Sequence, residues 1–359
     1  MAAISGIRGM LLEEAILYLL RVSGYRTLEI YPHTQTPSDP CVNDPTITGD
    51  SYSGLKVLGR GAKHQIDAIA DFIVTPPFTY PQRLLVEAKC YADNSHIGIE
   101  IIRNAVGVVK DVGEYWVTRN SLPPKARYHY QYALFSASNF SIDAQKYAFA
   151  HDIYLLPLTK TEFIQPLVGA IRNITSQSFG MSPNQTIDIG MIDLRRAIRA
   201  SIRNEDSDLR KLLNDYESAI SSFDIFIREC QHVNQAMIAM LNGRFPIFLV
   251  PTPGRNIGEL HDEYTVQIRW DENNWYIRSD REVLFSFDLP TELFENYADQ
   301  GFLSPIRALD LKEEALSEIQ GIITVGNSVR IIHLKLDSEW LSRMRQRINQ
   351  IQTTKGSNS

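Results

Sequence analysis

The sequence predicts an α/β fold, a mixed sheet flanked by helices, followed by a second α+β domain. Three observations predict it. Residues 1–173 alternate between segments of helical and of strand periodicity. Residues 174–188 collect Ser, Gln, Asn, Gly and Pro, which is typical of a linker. Residues 189–359 open with a helical apolar stripe and continue with alternating strands, which indicates a second core.

The elements of the first domain follow from apolar spacing and from the residues that end each segment. Gly24 ends the first helix, since glycine adopts the backbone conformation that closes helices. Residues 32–53 are rich in Pro, Thr, Asp and Ser and predict a loop. We expect helices at Ile7–Ser23, Gly98–Gly113 and Ile142–His151, and strands at Thr27–Tyr31, Gln65–Val74, Arg83–Cys90, Tyr130–Ser136 and Ile153–Pro157.

The second half begins with Ile189–Leu241, which predicts one long helix or two helices divided at Asn204–Asp208. Its apolar stripe indicates either a domain core or a dimerisation surface. We expect strands after it at Phe245–Val250, Tyr264–Trp270, Trp275–Arg278, Glu282–Asp288 and Val329–Leu336, and helices at Leu293–Asp299, Leu309–Gln320 and Ser338–Ile351. No motif in this half points to a catalytic or binding function. Oligomerisation, substrate selection and sensing are therefore all open as roles for it.

The amino-acid composition favours a globular protein over a disulfide-rich, zinc-binding or membrane protein. The chain has 359 residues, 44% of them hydrophobic and 22% charged, as in globular proteins with two cores. Its three cysteines are far apart, which argues against a disulfide framework or a zinc module. We expect a cytoplasmic protein without membrane contact, because the sequence has no secretory signal pattern and no apolar run of about 20 residues.

The net charge of −6 argues against a broadly basic surface for nucleic acid. It does not exclude an acidic active site with local basic patches beside it. Lys63 and His64, which precede Asp67, and Arg103 on the expected helix are candidate phosphate contacts. The alternative for each is an ordinary solvent-facing polar residue.

The most informative residues are Asp67, Glu87 and Lys89. Glu87 and Lys89 share one strand face because they are two residues apart. If the two strands form a hairpin, Asp67 lies beside Glu87. Two converging carboxylates repel unless a cation lies between them, and oxygen ligands suit Mg²⁺ or Mn²⁺. The alternative is that Asp67 ends a strand and Lys89 is a solvated charge, although a charged pair inside an apolar strand needs a partner.

The order of these motifs resembles the PD-(D/E)xK nuclease superfamily. Leu12-Glu13 with Gly24-Tyr25 looks like the opening helix of its Mrr-like restriction endonuclease branch, and GRGAKHQID at 59–67 is similar to the lead-in of such enzymes. Residues 97–107 look like the next helix, and residues 133–148 resemble the later strand, turn and helix. The resemblance covers about residues 6–160, and some Mrr-like members have glutamine where this chain has Glu87.

The resemblance implies a restriction-endonuclease-like sheet and a metal-dependent enzyme that cuts DNA. Asp67, Glu87 and the backbone carbonyl of Ala88 would hold Mg²⁺, with Mn²⁺ as substitute, and Lys89 would orient the attacking water. Glu13 would assist the metal, unless it only satisfies the helix dipole. The resemblance also implies restriction or antiviral defence, with a protein partner from such a system.

Two alternatives stay open. The first is a nuclease-fold subunit without turnover, which serves nucleic-acid binding or assembly. The second is a nuclease directed at RNA. Efficient cutting of both DNA strands calls for two active sites, so we expect a homodimer with the helices of Ile189–Leu241 at its twofold contact.

Overall fold

The computed structural model describes residues 2–28, 44, 46–50, 54–91, 95–114, 127–182, 185–271, 274–280, 282–290, 293, 304–325 and 328–356. The chain divides into two compact units, Met1–Asn234 and Gln235–Ser359. Helices and several sheets alternate along it, which confirms the predicted α/β class with more than one domain.

The first unit is built on a mixed five-stranded sheet in the order β1-β5-β6-β8-β10. The pairs among β1, β5 and β6 are antiparallel, and β6, β8 and β10 are parallel. These strands are β1 (Tyr25–Leu28), β5 (Ala68–Phe72), β6 (Gln82–Lys89), β8 (His129–Ser136) and β10 (Ile153–Pro157). Smaller sheets comprise β2 (Ile47–Asp50), β3 (Gly54–Leu58) and β4 (Lys63–Ile66), and β7 (His96–Ile97) with β9 (Asn139–Phe140).

Helices cover both faces of this sheet. Ile69 and Leu85 share a core with residues of α2 and α3, while Ala70 and Val86, which alternate with them, are buried on the other face. Helix α1 contacts β5 and β6. The helices of this unit are α1 (Ile4–Val22), α2 (Ile99–Gly113), α3 (Ile142–Ala150), α4 (Gln165–Asn173), α5 (Met191–Ile202), α6 (Leu209–Leu212) and α7 (Glu217–His232).

The expected strand Gln65–Val74 is in fact two strands that belong to different sheets. Strand β4 pairs with β3, whereas β5 pairs with β1 and β6. The chain bends at Asp67, the one residue between them. The loop expected at 32–53 contains β2 at its end, and the rest of it lies outside the described residues except Asp44 and Thr46.

The boundary between the units differs from the linker expected at 174–188. Ile174, Phe179 and Ile187 in that segment are buried. Phe179 packs edge to face on Phe223, and Ile187 exchanges two backbone hydrogen bonds with Ala2, at 2.8 and 2.9 Å. Apolar anchors in a polar segment therefore hold it against the first unit, and helices α5 to α7 belong to that unit rather than to residues 189–359.

The apolar stripe of these helices is a core, not the expected dimer surface. Leu194, Ile198, Phe223 and Phe226 are all fully buried within the single chain. Helix α5 contacts α1 and α7 contacts α4. A twofold contact through this stripe would require the unit to come apart.

The second unit is a closed barrel of seven strands in the order β11-β12-β15-β14-β13-β17-β16. Its apolar residues form one core, to which Leu249, Val266, Ile277, Phe285 and Ile332 contribute. The strands are β11 (Met237–Leu241), β12 (Phe245–Pro251), β13 (Glu263–Asp271), β14 (Asn274–Ser279), β15 (Glu282–Phe287), β16 (Glu318–Val325) and β17 (Ser328–Leu336). Helices α8 (Pro305–Ala315) and α9 (Ser338–Gly356) complete it.

Two helix predictions in this half were wrong at their C-terminal ends. Residues 237–241, expected to be helical, form β11, which turns into β12 at Asn242-Gly243, both with positive φ (46° and 68°). The helix expected at Leu309–Gln320 starts earlier, at Pro305, and gives way to strand β16. The helix expected at Leu293–Asp299 lies outside the described residues apart from Leu293. None of the described helices is long and apolar enough to cross a membrane.

Candidate active site

Asp67 lies at the bend between two sheets, where its side chain replaces a backbone partner. The β5–β6 ladder pairs Ala68 with Val86, and the chain leaves it at Asp67. The carboxylate of Asp67 then accepts a hydrogen bond of 2.8 Å from the backbone N–H of Ala88. The side chain of Asp67 is thereby fixed to the strand that carries Glu87 and Lys89.

Glu87 and Lys89 share one face at the end of β6. Their side chains form an ion pair and are only 17% and 21% exposed. The hydroxyl of Tyr132 on β8 donates a hydrogen bond of 2.9 Å to the other oxygen of Glu87. The charged pair predicted within an apolar strand therefore has partners, as its partial burial requires.

The carboxylates of the site repel one another. Burial, together with the negative charges of Glu13 and Glu87, raises the pKa of Asp67 to about 6, against the opposing effects of the Ala88 N–H and of Lys89. Burial disfavours the charged form of Lys89, but its hydrogen bond and ion pair with Glu87 prevail and raise its pKa. Lys89 is therefore an ammonium ion across the physiological range.

Glu13 lies on α1, and its negative charge is one cause of the raised pKa of Asp67, but its carboxylate is paired with Arg195. Arg195 on α5 donates to it, and burial raises the pKa of Glu13 although Arg195 lowers it. The adjacent Glu14 is buried and binds Arg195 at 3.1 Å and Arg199 at 2.7 Å. Sequence reasoning missed both arginines, which are about 180 residues away along the chain.

In the part of the chain that the structure describes, the three candidate phosphate contacts are not bonded to this group. Among the described residues, no hydrogen bond or ion pair joins Lys63, His64 or Arg103 to Asp67, Glu87 or Lys89. Lys63 is exposed on β4, and Arg103 is exposed on α2 with its guanidinium 5.8 Å from the ring centre of Tyr147.

His64 binds a carboxylate on α2 instead. Its Nε2 lies 2.7 Å from Asp111, which also accepts hydrogen bonds from the backbone N–H groups of Gly61 (2.8 Å) and Ala62 (3.2 Å). The hydrogen bond from His64 is the main reason that the pKa of Asp111 is lowered. A Cβ at Gly59 would lie 1.9 Å from the Asp111 carboxylate, so any other residue there would displace that carboxylate from its hydrogen bonds. We call Gly59, Gly61, Ala62, His64 and Asp111 the hairpin clasp.

The oxygen atoms around Asp67 are of the kind that a hard divalent cation binds. Carboxylates of Asp67 and Glu87 stand beside Ala88, whose carbonyl points to the same strand edge as its N–H and hence toward Asp67. Burial is the main cause of the raised pKa of Asp67, and such a cation would relieve the repulsion from Glu13 and Glu87 that adds to it. Within the described ranges, however, no three His, Cys, Asp or Glu residues already stand close enough to hold a metal ion. Glu87 and Glu13 instead form ion pairs with Lys89 and Arg195, respectively.

Comparisons with known proteins leave the family open. No family model matches the sequence, and no curated protein does. Among solved structures, a protein of unknown function, AF1548, is 17% identical with a TM-score of 0.33, over 62% of this chain and 97% of its own. The DNA modification-dependent restriction endonuclease AspBHI is 16% identical with a TM-score of 0.24, over 45% of this chain and 30% of its own. The MspJI restriction endonuclease, solved with a 27-mer oligonucleotide, is 13% identical with a TM-score of 0.24, over 49% and 34%. The chain thus spans about a third of those two endonucleases, and likeness at this level assigns it neither fold family nor activity.

Proposed function

We propose that this chain is a metal-dependent endonuclease that hydrolyses phosphodiester bonds in DNA. One observation carries the proposal: Asp67 is held against the strand of Glu87 and Lys89, where burial and then the negative charges of Glu13 and Glu87 raise its pKa to about 6. The hydrogen bond from Ala88 and the ion pair of Glu87 with Lys89 offset only part of the cost of placing these carboxylates together. The arrangement fits a site that receives a divalent cation and a phosphate.

In this proposal Asp67, Glu87 and the carbonyl of Ala88 hold Mg²⁺, and Glu13 assists from α1. The ion, when bound, lowers the pKa of a water and neutralises charge on the phosphate. Lys89 orients that water and balances the charge of a phosphate oxygen. It does not act as the base, because its raised pKa keeps it protonated. Tyr132 fixes the orientation of Glu87 by donating to it.

Substrate and setting rest on the resemblance of residues 6–160. It favours DNA over RNA and a role in restriction or antiviral defence, although an RNA-directed nuclease would use the same residues. A subunit without turnover is the other candidate, and it is favoured by the partners that Lys89 and Arg195 already give to Glu87 and Glu13. We further propose that the chain acts as a homodimer, through a surface other than the buried stripe of α5 and α7.

The test is to incubate the full chain with end-labelled duplex DNA, single-stranded DNA and RNA, each with Mg²⁺ and with EDTA. We expect internal cuts in DNA with Mg²⁺ and none with EDTA, and no cuts by Asp67→Asn. If the chain cuts only RNA, then RNA takes the place of DNA as the proposed substrate. Binding without cutting in every condition would favour the subunit without turnover, and equal cutting by Asp67→Asn would refute the site.

A further inference from the structure

Two arginines of α5, one helical turn apart, cover the adjacent acids of α1. Arg199 binds Glu14 with two nitrogens, each at 2.7 Å, and the Glu14 side chain is 1% exposed. Arg195 divides its guanidinium between Glu14, at 3.1 Å, and Glu13. Glu14 thus has two arginine partners, and Arg195 is shared between a structural acid and an acid of the candidate active site.

The sharing makes Arg195 different from Arg199. The Arg199 side chain is 11% exposed, and its loss would leave the buried Glu14 without its closest partner, which is costly for a buried charge. The side chain of Arg195 is 33% exposed, and it keeps its bond to Glu14 if the bond to Glu13 breaks. Glu13 in turn acts on Asp67 through its charge. The release of Glu13 therefore leaves Arg195 and Glu14 paired with each other.

We infer that Arg195 is a positioning residue that gates the candidate active site: it holds the carboxylate of Glu13, which has to leave Arg195 before it joins Asp67 and Glu87 around a divalent cation. The inference rests on the proposed function. Its consequence is that the site is closed to the cation by a residue outside the segment that resembles nucleases. Cation affinity is then set by the competition between Arg195 and the ion for Glu13.

The test measures Mn²⁺ binding to the full chain by electron paramagnetic resonance at pH 8, without substrate. Arg195→Gln is expected to bind Mn²⁺ about tenfold more tightly than the wild type, the size of one charge-assisted hydrogen bond. Arg196→Gln is the matched control, because Arg196 is the next residue, exposed, and paired with Asp193 instead. The gain is expected to disappear in the double variant Glu13→Gln/Arg195→Gln.

Thermal melts show whether each variant is folded. If Arg195→Gln does not fold, Arg195→Lys replaces it and is expected to shift affinity in the same direction, because one ammonium cannot bridge two acids as a fork does. Equal affinity in the Arg195 and Arg196 variants overturns the gate, and so does a gain that survives Glu13→Gln. The Asp67→Asn variant distinguishes a failure of the Arg195 gate from a failure of the proposed metal site. If it binds Mn²⁺ like the wild type, or if no variant binds, the proposed metal site fails as well.

Discussion

The carboxylate of Asp67 and the backbone N–H of Ala88 are joined by a hydrogen bond of 2.8 Å, across the point where two sheets separate. Through this bond, the side chain of Asp67 extends the β5–β6 ladder by one hydrogen bond. The bond also places a carboxylate in a half-buried position next to Glu87. The two effects have opposite signs for stability, since the hydrogen bond favours the fold and the charge opposes it.

Asp67→Asn is expected to stabilise the protein at neutral pH. The asparagine oxygen still accepts the Ala88 N–H, and the charge is gone. Because the pKa of Asp67 is raised from 3.8 to about 6, native stability falls as pH rises through that window and stays lower above it. The gain is on the order of 2 kcal/mol at pH 7.5 and vanishes near pH 4. Urea unfolding at several pH values measures it, and a variant that is less stable at pH 7.5 would show that Asp67 is structural.

Lys89→Ala is expected to reduce cleavage by about 10³-fold while the fold persists, because the charge that balances the phosphate is lost. Lys146→Ala on α3 is the control, since Lys146 is exposed and distant in sequence from the site. Initial rates of DNA cleavage and thermal melts are compared for both. Wild-type rates in the Lys89 variant would remove this residue from the proposed mechanism.

Metal replacement should separate binding from turnover. Mg²⁺ and Mn²⁺ are expected to support cleavage, whereas Ca²⁺ supports DNA binding with little cleavage because it takes longer bonds and looser coordination. Gel shifts and cleavage assays with each ion, after EDTA treatment, measure the two steps. Full activity in EDTA would contradict the proposed metal dependence.

Truncations are expected to follow the boundary at Asn234. A chain that ends there keeps every contact of the first unit and should unfold cooperatively. A chain that ends at Ser176 loses Arg195 and Arg199, leaves Glu14 buried without them, and exposes the surface that α5 and α7 cover. We expect it to be unfolded or aggregated, as seen by circular dichroism and size-exclusion chromatography with light scattering. If both truncations fold equally well, α5 to α7 are not part of the first core.

Local patterns in the sequence were sufficient for most of the first sheet. Strand β6 and helices α1 to α3 were predicted within three residues, because each combines clear periodicity with a clear end. The bend at Asp67 was not predicted, since apolar residues continue on both sides of it. The strand β11 was missed although Asn242-Gly243 is a strong hairpin signal, because the helical stripe was extended across it.

Long-range pairing explains the rest of the difference. The adjacency of Asp67, Glu87 and Lys89 follows from a hairpin, which is local. The ion pairs of Glu13 with Arg195 and of His64 with Asp111 join distant segments, and no periodicity connects them. The polar segment near residue 180 looked like a linker, because its few apolar anchors, such as Phe179, carry little weight in a compositional average.

Strand β4 joins the hairpin clasp to the bend at Asp67. The clasp fastens the tip of the β3–β4 hairpin to α2, and β4 then runs directly into Asp67. Strand β4 is therefore held at both ends, by Asp111 of α2 at the clasp and by the backbone N–H of Ala88 at Asp67. These polar contacts, and not strand pairing alone, fix the path by which the chain enters the candidate active site.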